Sequence, residues 1–121
     1  MKKHGLHKDE RLHGKNSIDR VFHEGISVYR YPIKAFALKI DNENGLSSML
    51  TSVSKRYFKK AVDRNLLKRR MREAYRLNKD LLSQSADSSW HIAFLYTSKE
   101  IENYKQINIA VTDILRTLDN K

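Results

Sequence analysis

The sequence contains no cysteine, which excludes disulfides, thiolate zinc sites and cysteine nucleophiles and leaves nothing to suggest an oxidising compartment. Proline occurs once, at Pro32, where it interrupts or begins a strand. Of the four glycines, Gly25 reads as a helix stop and Gly45 as part of a turn. Long apolar runs are also missing. No window of about 18 apolar residues occurs, and the basic stretch from Met1 to Glu10 runs into no apolar segment, so a soluble, cytoplasmic protein without a membrane partner is expected. Acids are scarce and scattered, 14 against 24 Lys and Arg. No carboxylate pair that would support two-metal phosphodiester cleavage is visible, nor any Ser/His/Asp order. His4 and His7 lack acidic or thiol companions at ligand spacing, so no metal site is expected. His91 stands alone in a strand and reads as packed or edge-exposed.

What is present is positive charge in one place. From Lys55 to Lys79 there are 11 Lys or Arg against two acids, Asp63 and Glu73, so this segment holds +9 of the chain's +10 net charge. Clustered cations repel one another and gain most by releasing counterions from phosphates, which makes a polyanion the expected partner. With 121 residues, 40% of them hydrophobic, the chain can bury one small core, and we read a single domain over 1–121 with residues 1–12 as an extended arm.

Periodicity supplies the elements. A short helix is expected from Ser17 to His23, capped by Asn16 or Ser17, with Ile18, Val21 and Phe22 on one face. From Val28 to Ile40 the chain is β-branched and aromatic, and Phe36, Leu38 and Ile40 alternate with Ala37 and Lys39, which reads as strand. Asp41 to Gly45 is a turn cluster leading to a second strand over about 46–54, and an antiparallel hairpin of these two strands is the natural expectation. A long helix follows from about Tyr57 to Leu82, then a serine-rich loop over 83–89 and an apolar strand from Trp90 to Thr97. Ile101, Tyr104, Ile107, Val111, Ile114, Leu115 and Leu118 recur at spacings of three and four and mark a closing helix. The fold class is α+β, a two-layer sandwich in which a small sheet packs with three helices in the order α-β-β-β-α-β-α.

On the long helix, Leu67, Met71, Ala74, Asn78, Leu81 and Leu82 cluster on one side at 100° per residue, with Tyr75 at the margin. Asn65, Arg69, Arg72 and Arg76 fall opposite them, with Lys68 and Lys79 beside. A helix that is merely solvated interleaves Glu with Lys at spacings of four, whereas here Glu73 is nearly alone. Arginine outnumbers lysine from 64 to 76, which suits bidentate phosphate contacts. A membrane-surface helix would need an apolar face free of core duties, and this one is committed to a core.

The run Ala61-Val62-Asp63-Arg64-Asn65-Leu66-Leu67-Lys68-Arg69-Arg70-Met71-Arg72-Glu73-Ala74-Tyr75-Arg76 resembles the signature of the bacterial ribonuclease P protein component, in which Arg-Asn, then Lys-Arg, then Arg-Glu recur on one helix. Arg11-Leu12 followed by Ile18, Val21, Phe22 and Gly25 is similar to the family's amino-terminal segment, and Ser52-Val53-Ser54-Lys55-Arg56 resembles its strand before the basic helix. Leu66 stands where the family often has a third cation, and the connection from Lys55 to Lys60 lacks the glycine common there.

The resemblance implies the small subunit of an enzyme whose RNA subunit hydrolyses precursor tRNA to release the 5′ leader, with Mg2+ bound mainly by that RNA and no catalytic residue on the protein. It implies that Arg64, Asn65, Lys68, Arg69 and Arg72, with Arg70 and Arg76 as lesser candidates, contact the ribonuclease P RNA. It further implies that Phe22, Phe36, Lys55, Arg56 and Ile18 bind the single-stranded leader. For the fold it implies a mixed sheet like the second domain of a small-subunit ribosomal protein, with a left-handed crossover through the basic helix, an exception to the usual rule. Charge alone also fits a structural RNA-binding protein such as a ribosomal component. A helix-turn-helix DNA binder fits less well, since no helix with a tight turn precedes the basic one.

Overall fold

The structure, a computed structural model, describes residues 12, 14–41, 47–82 and 88–120. Its elements are α1 (Lys15–Glu24), β1 (Ile26–Arg30), β2 (Ile33–Asp41), β3 (Ser48–Val53), α2 (Ala61–Asn78), β4 (Ser88–Tyr96) and α3 (Tyr104–Asp119), with a 3-10 turn over Lys79–Leu81. The order is the α-β-β-β-α-β-α expected. The arm over 1–11, the turn cluster past Asp41 and most of the serine loop lie outside the described residues.

The hairpin expected between the strands at 28–40 and 46–54 does not form. The sheet order is β1-β2-β4-β3, so β4 lies between β2 and β3, antiparallel to the first and parallel to the second. The reason is burial. Ile92, Ala93 and Phe94 are each fully buried although they point alternately to opposite faces, and only a central strand covers an apolar run on both sides. The antiparallel hairpin is instead β1 with β2, turning at Tyr31–Pro32; the single proline divides what reads in sequence as one strand.

One face of the sheet carries α2 and α3. Ile33, Ala35 and Ala37 of β2, Met49 and Val53 of β3, and Ile92 and Phe94 of β4 meet Leu67, Met71, Ala74, Tyr75, Ile107, Val111, Ile114 and Leu118 there. The large members of the β2 alternation thus turn away from this core, and the small alanines let two helices lie close to the strand. Phe36 and Leu38 pack on the other face with Leu12, Ile18, Val21, Leu50 and Ala93, under α1. Tyr75, placed at the margin of the apolar stripe by helical geometry, is fully buried against Phe94 at 6.0 Å between ring centroids.

The element ends differ from the periodic expectation for tertiary reasons. Helix α1 starts at Lys15, and its cap is Gly14, with φ of 92° and no side-chain bond, so Asn16 and Ser17 lie inside the first turn. Leu12 is buried and donates its N–H to Met49 O at 2.7 Å, and the left-handed conformation open to glycine at position 14 turns the chain from that anchor into the helix. Helix α2 starts at Ala61 rather than near Tyr57, because Phe58 is buried and packs edge-on to Tyr96 at 5.8 Å, which a helical path through 57–60 would not permit. Asn103 caps α3 by accepting the Gln106 N–H at 2.9 Å, and Ile101 stays exposed before the helix.

Gly25 ends α1 as expected, for a steric reason. A β-carbon there would lie 2.4 Å from Val21 O and 2.7 Å from Ala37 O, both backbone atoms that cannot swing aside. Gly25→Ala therefore pushes α1 off β2, and we expect a loss of about 1–3 kcal/mol in denaturant unfolding, the range for overpacking.

Candidate nucleic-acid interface

The basic helix is held by Leu67, Met71, Ala74 and Tyr75, all fully buried, and this fixes which cations face outward. The seven candidates on it separate into two groups. Asn65 and Arg69 are exposed, Lys68 and Arg72 half-buried, and no hydrogen bond or ion pair engages these four side chains among the described residues. Lys68 and Arg72 line a cavity of about 220 Å³ with Met49, Leu50 and Thr51, where α2 passes β3.

The other three are engaged within the protein. Arg64 donates to the carbonyls of Phe58 and Lys59 at 2.8 and 2.9 Å, fixing the connection that leads into α2. Arg70 donates to the Glu102 carbonyl at 2.6 Å and so ties α2 to the approach of α3, on a different side from Arg69. Arg76 forms an ion pair and hydrogen bond with Glu73. The hydrogen bond from Arg76 holds the Glu73 carboxyl below its ordinary value against the opposing effect of burial, and Glu73 in turn holds the Arg76 guanidinium above its own. Lys79, expected beside these cations, is buried in the 3-10 turn. The free charge of the face is therefore Lys68, Arg69 and Arg72.

A second surface lies over β2, on the α1 side of the sheet. Phe22 stays 38% exposed although its ring centroid is 5.2 Å from that of Phe36, tilted by 57°. Ile18 packs into the same cluster. Three leader-binding candidates thus meet as one apolar floor. Lys55 and Arg56 are exposed beyond the end of β3, toward the end of the sheet where Val53 aligns with Tyr96, and the structure does not bring them together with the phenylalanines of β2 and α1.

Lys34 was not among the sequence candidates, yet its Nζ sits 5.2 Å from the Phe36 centroid as a cation–π contact. Beside it, in register across the sheet, are Tyr29 of β1 and Leu95 of β4. Tyr29 is 52% exposed. The period-two spacing of Lys34, Phe36 and Leu38 carries this information, but only once the polarity of the β2 faces is known.

His91 aligns with Leu38 and Ser48 on this face. Burial first, and then the nearby Arg20, lower its pKa from the ordinary 6.5. The unfolded chain thus binds the proton more readily, so the stability from a neutral His91 is complete above pH 6.5 and is lost as pH falls through the lowered folded value. A urea midpoint that declines over this window, and declines less in His91→Gln, is the expected result.

No group of three or more His, Asp or Glu side chains is placed to hold a metal among the described residues. The named side chains at the two surfaces are mainly Lys and Arg cations with aromatic and aliphatic neighbours, which oppose a divalent cation by charge and offer it few oxygen ligands. No described helix is long and apolar enough to cross a membrane.

A mixed four-stranded sheet carrying unpartnered cations at one edge and an aromatic, lysine-topped face on the other side defines an α+β polyanion-binding protein. A sequence model described as ribonuclease P matches residues 6–119: the chain belongs to the ribonuclease P family. It is 40% identical over 111 residues to the ribonuclease P protein component of Porphyromonas gingivalis, covering 88% of this chain and 81% of that one. Its fold is similar to that of the RNase P protein from Thermotoga maritima, with a TM-score of 0.73, 23% identity and coverage of 89% and 96% of the two chains. The RNase P protein from Staphylococcus aureus gives 0.67 and 22%, with 93% of each chain covered. The ribosomal reading falls to this family membership, and the helix-turn-helix reading falls to the strand and loop that precede α2.

Proposed function

We propose that the chain, as a protein subunit of the endoribonuclease ribonuclease P, binds two RNA segments at once. Asn65, Lys68, Arg69 and Arg72 take the phosphates of the ribonuclease P RNA, while Phe22, Phe36 and Ile18, with Lys34, Lys55 and Arg56 around them, take the single-stranded 5′ leader of precursor tRNA. Arg64 and Arg70 act as positioning residues, the first for the connection before α2 and the second for α2 against α3. Arg76, neutralised by Glu73, contributes little free charge.

The observation that carries this reading is the division of labour between the two faces of the sheet, free cations on α2 and an aromatic pair under α1. Cations without protein partners suit backbone contacts that position RNA without reading it. An aromatic pair with Phe22 exposed, Phe36 partly buried behind it and Lys34 over the Phe36 ring suits unpaired bases, since every base has a face to stack and a phosphate to neutralise. Cleavage itself belongs to the RNA, which on this proposal also holds the Mg2+. By neutralising phosphates the protein reduces the counterion charge that the folded RNA and its substrate need, and the setting is the cytoplasm.

The test is cleavage of precursor tRNA by ribonuclease P RNA at low magnesium. Correct 5′ processing that needs the protein supports the proposal. Tight RNA binding without stimulation refutes it.

A further inference from the structure

Strand β3 is an edge strand, covered by β4 on one side and by no strand on the other among the described residues. Its Met49 carbonyl accepts from Leu12 and so faces away from β4. By the alternation of a strand, Thr51 turns its N–H and carbonyl the same way. Thr51 also shares the side-chain direction of Met49 and Val53, both buried on the helix side of the sheet, which aims its hydroxyl toward α2. No hydrogen bond engages that hydroxyl among the described residues. The cavity bounded by Met49, Leu50, Thr51, Lys68 and Arg72 therefore joins an apolar wall, an unused peptide edge with a hydroxyl, and two cations without protein partners.

We propose that this cavity receives one unpaired nucleotide of the RNA bound by α2, with its base edge on Thr51 and the β3 peptide groups and its phosphates on Lys68 and Arg72. The inference rests on the RNA-binding role given to α2 above and specifies what kind of RNA feature docks there. A duplex presents its phosphates on a convex surface, which the exposed cations of a helix meet without any concavity. Its base edges lie in grooves that proteins read mainly by shape and by backbone contacts. A splayed-out base, by contrast, offers hydrogen-bonding edges and apolar faces together, and the cavity has a complement to each.

The absence of cysteine allows a direct experiment. Thr51→Cys carries a unique thiol for a photo-crosslinker, and crosslinks to ribonuclease P RNA are mapped by primer extension beside chemical probing of the free RNA. The expected result is a crosslink confined to one or two adjacent nucleotides that are unpaired. Independently, Thr51→Val keeps the branched shape and removes the hydroxyl; it should bind roughly three- to tenfold more weakly, the effect of one hydrogen bond, with an unchanged salt slope. Crosslinks spread along both strands of a helix, or Thr51→Val binding like the parent chain, would overturn the nucleotide cavity while leaving α2 as an RNA-binding helix. Failure of the parent chain to bind the RNA would overturn both.

Discussion

Arg69→Ala and Arg72→Ala each lower the slope of log affinity against log salt for ribonuclease P RNA by about one unit, and the double variant binds roughly a hundredfold more weakly at low salt. Each guanidinium stands without a protein partner among the described residues, so its loss is a loss of phosphate neutralisation and leaves no buried acid uncompensated. A hydrogen bond to a charged group is worth about 1.5–3 kcal/mol, and two such contacts at the low end of that range, where an exposed Arg69 and a half-buried Arg72 belong, give the stated magnitude. Arg70→Ala is the control that makes the result specific to geometry. It removes the same charge from the same helix, but its guanidinium is bound to the Glu102 carbonyl, so the slope stays at the parent value and the unfolding midpoint falls instead. Filter binding across a salt series, with denaturant unfolding of each variant, separates the two outcomes. Equal slopes for all three variants would mean that α2 acts only as a diffuse positive field.

Phe22→Ala weakens precursor tRNA relative to mature tRNA by roughly 5- to 150-fold, the range for one base stacked on an aromatic ring at about 1–3 kcal/mol. Phe22 is more than one-third exposed, so removing its ring leaves the α1 cluster largely intact. Val21, beside it in sequence, is fully buried, and truncating that residue should destabilise the fold without selecting between the two tRNAs. Lys34→Met follows Phe22→Ala in direction but adds a loss of salt dependence, because it removes the cation above Phe36 and keeps an apolar stem. The measurement is competition between precursor and mature tRNA on the reconstituted enzyme. A loss of affinity equal for both substrates would make Phe22 a packing residue.

Much of this site is legible in the sequence, for identifiable reasons. Helical spacing is a local property, so Leu67, Met71 and Ala74 mark the buried side of α2 and thereby place Asn65, Arg69 and Arg72 opposite them. Charge density is local too, and +9 within one segment names a polyanion before any fold is known. Side-chain partners are not local. Arg64 and Arg70 carry the same charge as Arg69 and Arg72, and only folding brings the carbonyl of Glu102, 32 residues away, to Arg70.

The sheet shows the same division. Period-two alternation identifies strands but is blind to which face meets the larger core and to which strand lies between which, because both depend on contacts across the chain. Placing β4 in the centre turned the alanines of β2 toward two helices and left Phe36, with Lys34 above it, on the side that α1 only partly covers. The sequence by itself determined a basic, amphipathic helix in a cysteine-free α+β domain, because hydrophobic period and charge act over a few residues. Tertiary structure alone decided which cations stay free and which aromatics stay reachable, because burial and hydrogen-bond partners are supplied by residues distant in the chain.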